Sequence, residues 1–281
     1  MPNRLHPRRW HYMAIVAIAA MAAIAVTFAR ANDPAKPAPT PIDLDQYTLT
    51  FDENFDTLDV SDNGPGTRWI AHTPWAGDFG DALFANPKPG FPFTVNDGIL
   101  RIEARKRPDG HWESGLLASV DTKNNGFKQQ YGYFEMRAKL PAGAGLWPAF
   151  WLDSMVPKEF SDPSLEVDVI EHHGHLPDLF ESFVTVWPKD NPKDRISVRN
   201  VHNFRTGMLY EDYHTFGASV EPDWIVIYLD RNEIWRTRTP PEHKHKLMIL
   251  LNLAMGSGWP IDKAPNPSYM YVDYVRAYQR K

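Results

Sequence analysis

Short runs in which apolar and polar residues alternate dominate the chain from about residue 42 onward. Leu100, Ile102 and Ala104 alternate with charged residues, and residues 133–140 repeat the pattern. Successive side chains of a strand point to opposite faces of a sheet, so a period of two predicts strands with one buried face. Glycine, proline, asparagine and aspartate separate the runs, and no long stretch has helical periodicity. These features predict an all-β sandwich or barrel.

Two segments toward the C-terminal end allow more specific predictions of structure. Residues 224–229 and 233–236 are separated by Asp230, Arg231 and Asn232, which predicts a β-hairpin. Residues 246–253 are almost continuously apolar, which predicts a strand that is covered on both faces.

The first 41 residues follow a different pattern. Residues 1–12 are basic, residues 13–28 are uncharged and apolar, and Ala29-Arg30-Ala31 offers a small-x-small cleavage site. This succession predicts an export signal over residues 1–31. The apolar run is shorter than the roughly 20 residues that a spanning helix needs, and a retained single-pass membrane anchor is the alternative. Residues 32–41 are rich in proline and alanine and predict an extended linker. We therefore expect a secreted protein, extracellular or periplasmic, whose folded domain covers residues 42–281.

Composition and charge exclude several classes of function. The chain of 281 residues has no internal repeat or second composition zone, so one large domain accounts for it. It has no cysteine, which excludes disulfides, thiolate metal sites and a cysteine nucleophile. The net charge is −5, and without the four arginines of residues 1–31 the remaining 26 basic and 35 acidic residues give −9. An acidic body argues against nucleic acid or an anionic membrane as a partner.

Three acidic residues, Glu166, Asp168 and Glu171, lie close together in a predicted strand. Alternation puts Glu166 and Asp168 on one face, whereas Glu171 is five positions from Glu166 and would point to the other face. One extra residue, accommodated as a β-bulge at residues 169–170, would return Glu171 to the acidic face. Because three carboxylates on one face repel each other, folding alone does not account for the arrangement.

Cleavage of a glycosidic bond needs such a set, since one carboxylate attacks or stabilises the sugar while another donates a proton. Close packing of negative charges is expected to raise the pKa of at least one carboxyl group and keep a proton available at neutral pH. Two carboxyl groups about 5–5.5 Å apart suit a retaining mechanism, and about 6.5–9.5 Å suits an inverting one. The alternative is a half-exposed strand whose acidic side chains are only solvated.

The acidic motif and its surroundings resemble glycoside hydrolase family 16, whose members carry Glu-x-Asp-x-x-Glu downstream of a segment like residues 131–151. Further matches follow in the family's order at residues 51–55, 97–105, 213–217, 252–254 and 271–278. The resemblance runs from about residue 47 to Lys281 and is greatest to secreted bacterial members that degrade β-glucans or exopolysaccharides. It implies a β-jelly roll of two curved antiparallel sheets with a substrate cleft across the concave face.

The same resemblance implies that Glu166 is the nucleophile, Glu171 the proton-holding acid/base, and Asp168 the assisting carboxylate between them. The implied activity is retaining, endo-acting hydrolysis of a β-linked polysaccharide by double displacement, with no cofactor required for catalysis. Two positions depart from the family pattern. Thr185 replaces a frequent histidine, which puts contacts on the leaving-group side in doubt. Val220 replaces a frequent tryptophan, a change that we expect only to repack the core.

Aromatic side chains can stack on the flat C–H faces of sugar rings, so tryptophans in or near the matched segments are candidates for substrate binding. The predicted substrate contacts are Trp147, Trp151, Trp259, Asn54, Arg137 and His173. Trp147 and Trp259 are the preferred platforms because each lies beside glycine and proline at an expected cleft rim; packing in the core is the alternative. The loop of residues 73–81, with Phe84, is expected to shape one end of the cleft.

Metal binding is the remaining question of site chemistry. The histidines of residues 172–175 have a spacing that points two of them apart at a strand exit, which disfavours a catalytic metal. A histidine that lines the cleft and bonds the substrate or the acid/base is expected instead. The resemblance implies a structural calcium on the convex side, with Asp273 as side-chain ligand and backbone oxygens near Glu53 and Gly98. A solvated Asp273 carboxylate is the alternative.

Other functions remain compatible with the sequence. A transglycosylase would use the same chemistry with an acceptor sugar in place of water. A carbohydrate-binding, lectin-like protein would use the same sandwich without catalysis, since a fold does not fix function, although the three carboxylates favour an enzyme. The expected partner is a β-linked polysaccharide, without nucleic acid, and with a membrane only if the N-terminal segment is retained. The expected state is a monomer. The polysaccharide is open between β-1,3-glucan, mixed-linkage glucan, agar-type galactan and an exopolysaccharide.

Overall fold

The computed structural model describes residues 40–75, 77–157 and 160–281. Residues Pro39–Lys281 group into one compact unit. The export signal predicted over residues 1–31, and the linker up to residue 39, lie outside the described residues and stay predictions. In the ranges that the structure describes, no helix is long and apolar enough to cross a membrane.

The described residues form a protein made almost entirely of strands, as the alternating pattern predicts. In chain order the strands are β1 (Tyr47–Glu53), β2 (Val60–Ser61), β3 (Trp69–Ile70), β4 (Ala82–Phe84), β5 (Phe93–Asn96), β6 (Ile99–Lys106), β7 (Trp112–Ser114), β8 (Leu116–Ala118), β9 (Gly132–Lys139), β10 (Leu146–Ser154), β11 (Ser164–Glu171), β12 (Leu179–Trp187), β13 (Ile196–Asn203), β14 (His214–Val220), β15 (Trp224–Leu229), β16 (Asn232–Arg238), β17 (Leu247–Met255) and β18 (Ser268–Arg280). Helical structure in this part of the chain is limited to α1 (Met208–Glu211) and two 3-10 turns, Leu44–Gln46 and Pro192–Asp194.

The strands form two sheets. The ten-stranded sheet has the order β16-β15-β14-β9-β18-β6-β7-β4, with β1 paired to β18 and β5 paired to β6. The eight-stranded sheet has the order β13-β12-β11-β10-β17-β8-β3-β2. Pairing is antiparallel except between β2 and β3 and between β4 and β7, which are parallel. Neighbours in a sheet are often distant in sequence, so residues far apart along the chain share each face.

The main hydrophobic core lies between the inner faces of the two sheets. Strand β9 contributes Phe134 and Met136, and strand β10 contributes Phe150 and Leu152, all fully buried. Val220 also lies in this core, as expected for a change that only repacks it. Because alternation assigns these residues inward, the residues between them point to the outer faces, where a binding site has room to form.

Both specific strand predictions are confirmed. Strands β15 and β16 form the predicted hairpin, and its turn residues Asp230 and Arg231 have φ values of 49° and 62°. Two consecutive positive φ values are what a type I′ turn requires, and such a turn matches the twist of the flanking strands. Every residue of β17 is buried, which fits its central place in the eight-stranded sheet.

Candidate active site

The acidic motif lies on β11, and the predicted bulge is present there. Ile170 pairs with Phe150 of β10 and Asp168 pairs with Trp151, so Val169 is the extra residue on β11. The register to β12 shifts in the same place, between Asp168 and Glu171. Two residues on β11 therefore oppose one on its partner, which is the definition of a β-bulge.

The bulge sorts the side chains of β11 between the two faces. Val167, Val169 and Ile170 are fully buried in the core between the sheets. Glu166, Asp168 and Glu171 are all only partly buried, on the opposite face. The prediction that the bulge returns Glu171 to the acidic face is confirmed. We call the outer face of the eight-stranded sheet, which carries these carboxyl groups, the site face.

Burial is the main electrostatic influence on Glu166. It raises the pKa of Glu166 from 4.5 to about 7, and the charge of Glu171 acts in the same direction. A side-chain hydrogen bond with Asp168 opposes the shift, as do the Trp187 indole and the positive charge of Arg195. The Trp187 N–H forms no hydrogen bond with a described residue. It therefore lowers the pKa of Glu166 through its proximity alone.

Two further carboxyl groups share this environment. Burial, followed by the charge of Glu166, raises the pKa of Asp168 well above its usual value. The same two causes raise the pKa of Asp153, which lies on β10 directly opposite Glu166. Burial is the first cause of the raised pKa values of Glu166, Asp168 and Asp153, and the charges of neighbouring carboxylates add to it, as expected. Asp153 is a fourth acidic residue that the sequence did not indicate, because only the pairing of β10 with β11 brings it here.

Histidines surround the third carboxylate of the motif. His173 Nε2 lies 3.2 Å from Glu171 Oε1, which confirms the prediction of a histidine that bonds this carboxylate. The neighbouring side chains diverge: His172 Nδ1 bonds the Leu179 carbonyl at 2.8 Å, and His175 Nδ1 accepts a bond from the Gly145 N–H at 3.1 Å. Burial lowers the pKa of His172 to about 4, so this ring is neutral. No group of side chains among the described residues has a metal-binding arrangement.

Aromatic rings cover the site face on the β10 side of the carboxylates. Phe79 packs edge-on against Trp147 at 5.3 Å and against Trp151 at 5.8 Å, and Trp75 lies 6.1 Å from Trp151. Trp151 is buried, and its indole N–H donates to Asn252 Oδ1 at 2.9 Å, which fixes the ring. Trp75 remains 40% exposed. This aromatic wall provides rings on which sugar faces can stack.

The predicted tryptophans differ in how much surface they offer. Trp259 is 39% exposed and stacks on His175 at 4.9 Å. Trp147 is partly buried and stacks on His173 at 5.9 Å. Trp259 and Trp75 are therefore the exposed rings, and Trp151 packs against Trp75. Trp75 was part of the loop expected to shape the cleft, but its sequence position alone did not identify it as a platform.

The loop of residues 73–81 is held against the sheet. The Asp81 N–H donates to the Met255 carbonyl at 2.9 Å. Gly80 has a φ of +81°, and a Cβ there would lie 2.8 Å from the same carbonyl oxygen. Only glycine combines this backbone conformation with so close an approach. The loop thereby delivers Trp75 and Phe79 to the site face, as predicted for one end of the cleft.

The opposite side of the carboxylates has a polar wall on β12 and β13. Thr185 pairs directly with Glu166, and its hydroxyl bonds Ser197 at 2.8 Å. Arg195 lies with its Cζ 5.2 Å from the centre of the Trp187 ring. Farther along, Arg199 and Glu181 form an ion pair at 3.3 Å. The two sides of the site thus differ in chemistry.

Two predicted substrate contacts belong to the ten-stranded sheet and not to the sheet that carries the carboxylates. Arg137 is on β9 in the ten-stranded sheet, and its neighbours Met136 and Ala138 point into the core. Alternation therefore turns Arg137 to the outer face of that sheet, away from the carboxylates. Asn54 follows β1 in the same sheet, and its carbonyl oxygen lies 3.5 Å from where a Cβ on Gly98 would stand. A strand pattern shows that a residue points outward but not which of two sheets carries it.

The predicted calcium ligands are partly brought together. Gly98 lies beside Asn54, and Glu53 pairs with Val275, two residues from Asp273. However, the Asp273 carboxylate forms an ion pair with Arg137 at 2.5 Å, and the Glu53 carboxylate is held by Arg68 and the Trp69 indole. The Asp273 carboxylate, the one predicted side-chain ligand, is thus paired with Arg137, whereas the contacts of the Glu53 carboxylate do not involve the predicted backbone oxygens. Calcium binding stays a prediction without structural support.

The raised pKa of Glu166 gives a stability prediction with a definite sign. Between the ordinary pKa of 4.5 and the folded value of about 7, the unfolded state releases a proton that the folded state keeps. Stability contributed by this group therefore falls as the pH rises through that window and stays low above it. We expect Glu166→Gln to melt higher than the wild type at pH 8, with the gap shrinking toward pH 4.5.

Melting curves at several pH values check this expectation. The matched control is Asp109→Asn, an exposed acid on the turn between β6 and β7. A difference between Glu166→Gln and wild type that does not change with pH would contradict the assignment of burial as the cause.

Comparisons with known proteins identify the family of the chain. A model of the family described as Glycosyl hydrolases family 16 matches residues 92–276. The endo-1,3-1,4-beta-glycanase ExsH of Rhizobium meliloti (strain 1021) is 33% identical over 262 residues, covering 84% of this chain and 53% of that protein. The endo-1,3-1,4-beta-glycanase EglC of the same organism is 33% identical over 260 residues, with 84% and 53% covered. The chain spans about half the length of these relatives.

Solved structures give the same fold. The endo-beta-1,3(4)-glucanase SCLam, described as non-specific, is 25% identical with a TM-score of 0.66, covering 87% of this chain and 96% of that one. The catalytic domain of an endo-1,3-beta-glucanase from Thermotoga petrophila RKU-1 is 24% identical with a TM-score of 0.64, covering 84% and 98%. The predicted all-β jelly-roll sandwich is confirmed.

Proposed function

Because the chain belongs to glycosyl hydrolases family 16, we propose that it hydrolyses internal bonds of a β-linked polysaccharide and retains the configuration of the anomeric carbon. The observation that carries the proposal is the bulge at Val169, which puts Glu166, Asp168 and Glu171 on one face. A strand without the extra residue would point Glu171 into the core. Nothing in the packing of β11 requires three carboxyl groups at these positions.

The substrate class follows from the relatives and from the aromatic wall. Two relatives that match most of the chain are named endo-1,3-1,4-beta-glycanases. We extend that class to this protein, with a β-1,3-glucan, a β-1,3-1,4-glucan or an exopolysaccharide with such linkages as the substrate. Ring contacts run without a break from Trp75 through Trp151, Phe79, Trp147 and His173 to Trp259, which suits a chain of several sugars. A site that binds several consecutive sugars supports cleavage within the chain.

In the first chemical step, Glu166 attacks the anomeric carbon as its carboxylate. The glycosidic C–O bond breaks, and Glu171 gives its proton to the leaving oxygen. Asp168, hydrogen-bonded to Glu166, orients the attacking carboxylate and takes part of its charge. His173, in contact with Glu171 Oε1, holds that side chain in place. The product of this step is a covalent glycosyl-enzyme with the inverted configuration.

In the second step, water takes the place of the departed sugar. Glu171, now ionised, removes a proton from the water, which attacks the anomeric carbon and displaces Glu166. Two inversions restore the original configuration. In this mechanism no water lies between the sugar and Glu166. The positions of Glu166 and Glu171 on one strand suit the separation of about 5–5.5 Å between carboxyl groups that the mechanism requires.

A panel of polysaccharides tests the proposed function. Purified protein is incubated with β-1,3-glucan, mixed-linkage glucan, agar-type galactan and a bacterial exopolysaccharide, and reducing ends and chain length are followed together. Endo-hydrolysis predicts a rapid fall in chain length with few reducing ends. Redistribution of chain lengths without new reducing ends would identify a transglycosylase. Binding without any product from all substrates would overturn the proposal in favour of a binding protein.

The stereochemical outcome is the sharper prediction. Proton NMR of the first-formed product is expected to show the β-anomer, with the α-anomer appearing later by mutarotation. The reason is that the bulge leaves Glu166 itself as the attacking group. An initial α-product would overturn the retaining mechanism even if the protein is an endo-β-glycanase.

We extend the proposal to location: the protein acts outside the cytoplasm after cleavage near Ala31. The support is the basic, apolar and Ala-x-Ala succession of residues 1–31. Mass spectrometry of the N-terminus of protein recovered outside the cytoplasm tests this. An intact Met1 on membrane-bound protein would favour the anchor.

A further inference from the structure

Asp153 occupies an unusual position on the site face. It lies on β10, where Leu152 points into the core and Trp151 and Asp153 point to the outer face. The register of the sheet sets it between two partners: Glu166 of β11 on one side and Met248 of β17 on the other. Side chains directly opposite in antiparallel strands have Cβ atoms about 4.5–5.5 Å apart. Its nearest neighbours in this row are thus an apolar side chain and the proposed nucleophile.

The Asp153 side chain has no partner that would stabilise a negative charge. It is 8% exposed, and no donor among the described residues hydrogen-bonds or ion-pairs with its carboxyl group. Met248, on its other side, is fully buried and apolar. A buried carboxylate without donors is costly, and like charges directly opposite across two strands repel. The side chain is therefore stable here as the neutral acid, which carries one O–H donor.

The other charged and polar groups around Glu166 leave this side of it to Asp153. Those that act on Glu166 are Asp168 and Glu171 from β11, the Trp187 indole from β12 and Arg195 from the β13 side, while Glu181 and Arg199 lie farther along β12 and β13. Arg199 is paired to Glu181, and Arg195 lies over Trp187. Asp168 reaches Glu166 along β11. On the β10 side, Asp153 is the titratable neighbour in the described register.

We propose that Asp153, which lies directly across from Glu166, is a positioning residue: as the neutral acid it donates a hydrogen bond to the Glu166 carboxylate when Glu166 ionises for the reaction, and so holds it in the attacking orientation. Glu166 is then held by two acids, Asp168 from its own strand and Asp153 from across the sheet. One carboxylate oxygen remains directed at the sugar while the other is fixed from the floor of the site. The inference rests on the proposed function, because it assigns Glu166 as the attacking group.

The direction in which the acid limb of the pH profile moves distinguishes three roles for Asp153: a hydrogen-bond donor, a repelling carboxylate and a side chain that only fills space. The acid limb of kcat/KM reports ionisation of the essential carboxylate in the free enzyme. A donated hydrogen bond favours the charged form of Glu166. Removing that donor with Asp153→Leu is expected to move the acid limb to higher pH. It is also expected to lower kcat by about 10- to 100-fold, with KM nearly unchanged, since a misplaced reacting group slows the chemical step.

Asp153→Asn is the matched variant, because an amide is also neutral and also donates. It is expected to keep the acid limb at the wild-type pH and kcat within a few-fold. If Asp153 is instead a carboxylate that repels Glu166, both variants will move the limb to lower pH. If Asp153 only fills space, neither variant will move it. Either result would overturn the proposal.

A second measurement does not depend on turnover. Infrared difference spectra between low and high pH detect the C=O stretch of a protonated carboxylic acid. The wild type is expected to retain a protonated-acid band at pH 7.5 that Asp153→Asn lacks while Asp109→Asn keeps it. If the protonated-acid band is unchanged in Asp153→Asn, that result would contradict a neutral Asp153. This test holds even if Asp153→Leu fails to fold. A wild type without activity on any β-glycan would instead overturn the proposed function and leave the infrared result standing.

Discussion

Glu166→Gln is expected to abolish turnover, by about 10⁴-fold or more, while the protein folds and still binds β-glucan oligosaccharides. Glutamine has nearly the same shape as glutamate, but its amide cannot form the glycosyl ester that the first step requires. Losses of this size are usual when a residue that forms the covalent intermediate is removed. Release of reducing ends measures turnover, and calorimetric titration with oligosaccharide measures binding.

Glu181→Gln is the matched control for this variant. Glu181 is also a carboxylate on the site face, opposite Glu171 on the next strand, but it is paired with Arg199. Its replacement is expected to change turnover only a few-fold. Substantial turnover in Glu166→Gln, or equal loss in both variants, would remove Glu166 from the role of nucleophile.

Glu171→Ala is expected to lose about 10²–10⁴-fold on polysaccharide but far less in the first step on an aryl β-glycoside with a good leaving group. Protonation by a positioned acid contributes about this much, and a leaving group that departs as a stable anion does not need it. Burst kinetics on the aryl substrate measure the first step separately. Equal losses on both substrates would contradict the assignment of Glu171 as the acid.

Added azide distinguishes the two carboxylates by product. In Glu171→Ala, azide attacks the glycosyl-enzyme and gives a β-glycosyl azide, because the first inversion has already taken place. In Glu166→Gly, azide replaces the nucleophile and gives an α-glycosyl azide by a single inversion. NMR of the two products identifies the role of each carboxylate. The reverse pattern would make Glu171 the nucleophile and Glu166 the acid/base.

The bulge was predictable because strict alternation along the strand conflicts with placing Glu171 on the same face as Glu166 and Asp168. Glu166 and Asp168 fit one face by alternation, and Glu171 does not unless the strand gains a residue. The identity of the residues between them, Val169 and Ile170, made the inserted residue apolar and therefore compatible with the core. Here local sequence contained all the information that the geometry needed.

Asp153 and Arg137 show where local sequence is insufficient. Asp153 enters the site only because β10 and β11 pair with a particular register, which depends on where the turn and the bulge lie. Arg137 points outward from its strand, as the site residues do from theirs, yet β9 belongs to the other sheet. Sheet membership arises from long-range pairing, and no property of residues 133–140 specifies it. The same limit applies to Trp75, whose loop is directed to the site by its contact with β17.

The difference between the aromatic wall and the polar wall has a consequence for how a substrate enters. A β-glucan strand has a reducing end and a non-reducing end, and its two halves would meet different surfaces on either side of Glu166. Rings on the β10 side suit the faces of sugars, whereas hydroxyl and guanidinium groups near β12 and β13 suit their edges. Reversing the strand would exchange these contacts and turn the anomeric carbon away from the nucleophile. On the proposed function, the site therefore distinguishes the two directions in which a β-glycan chain can lie across it.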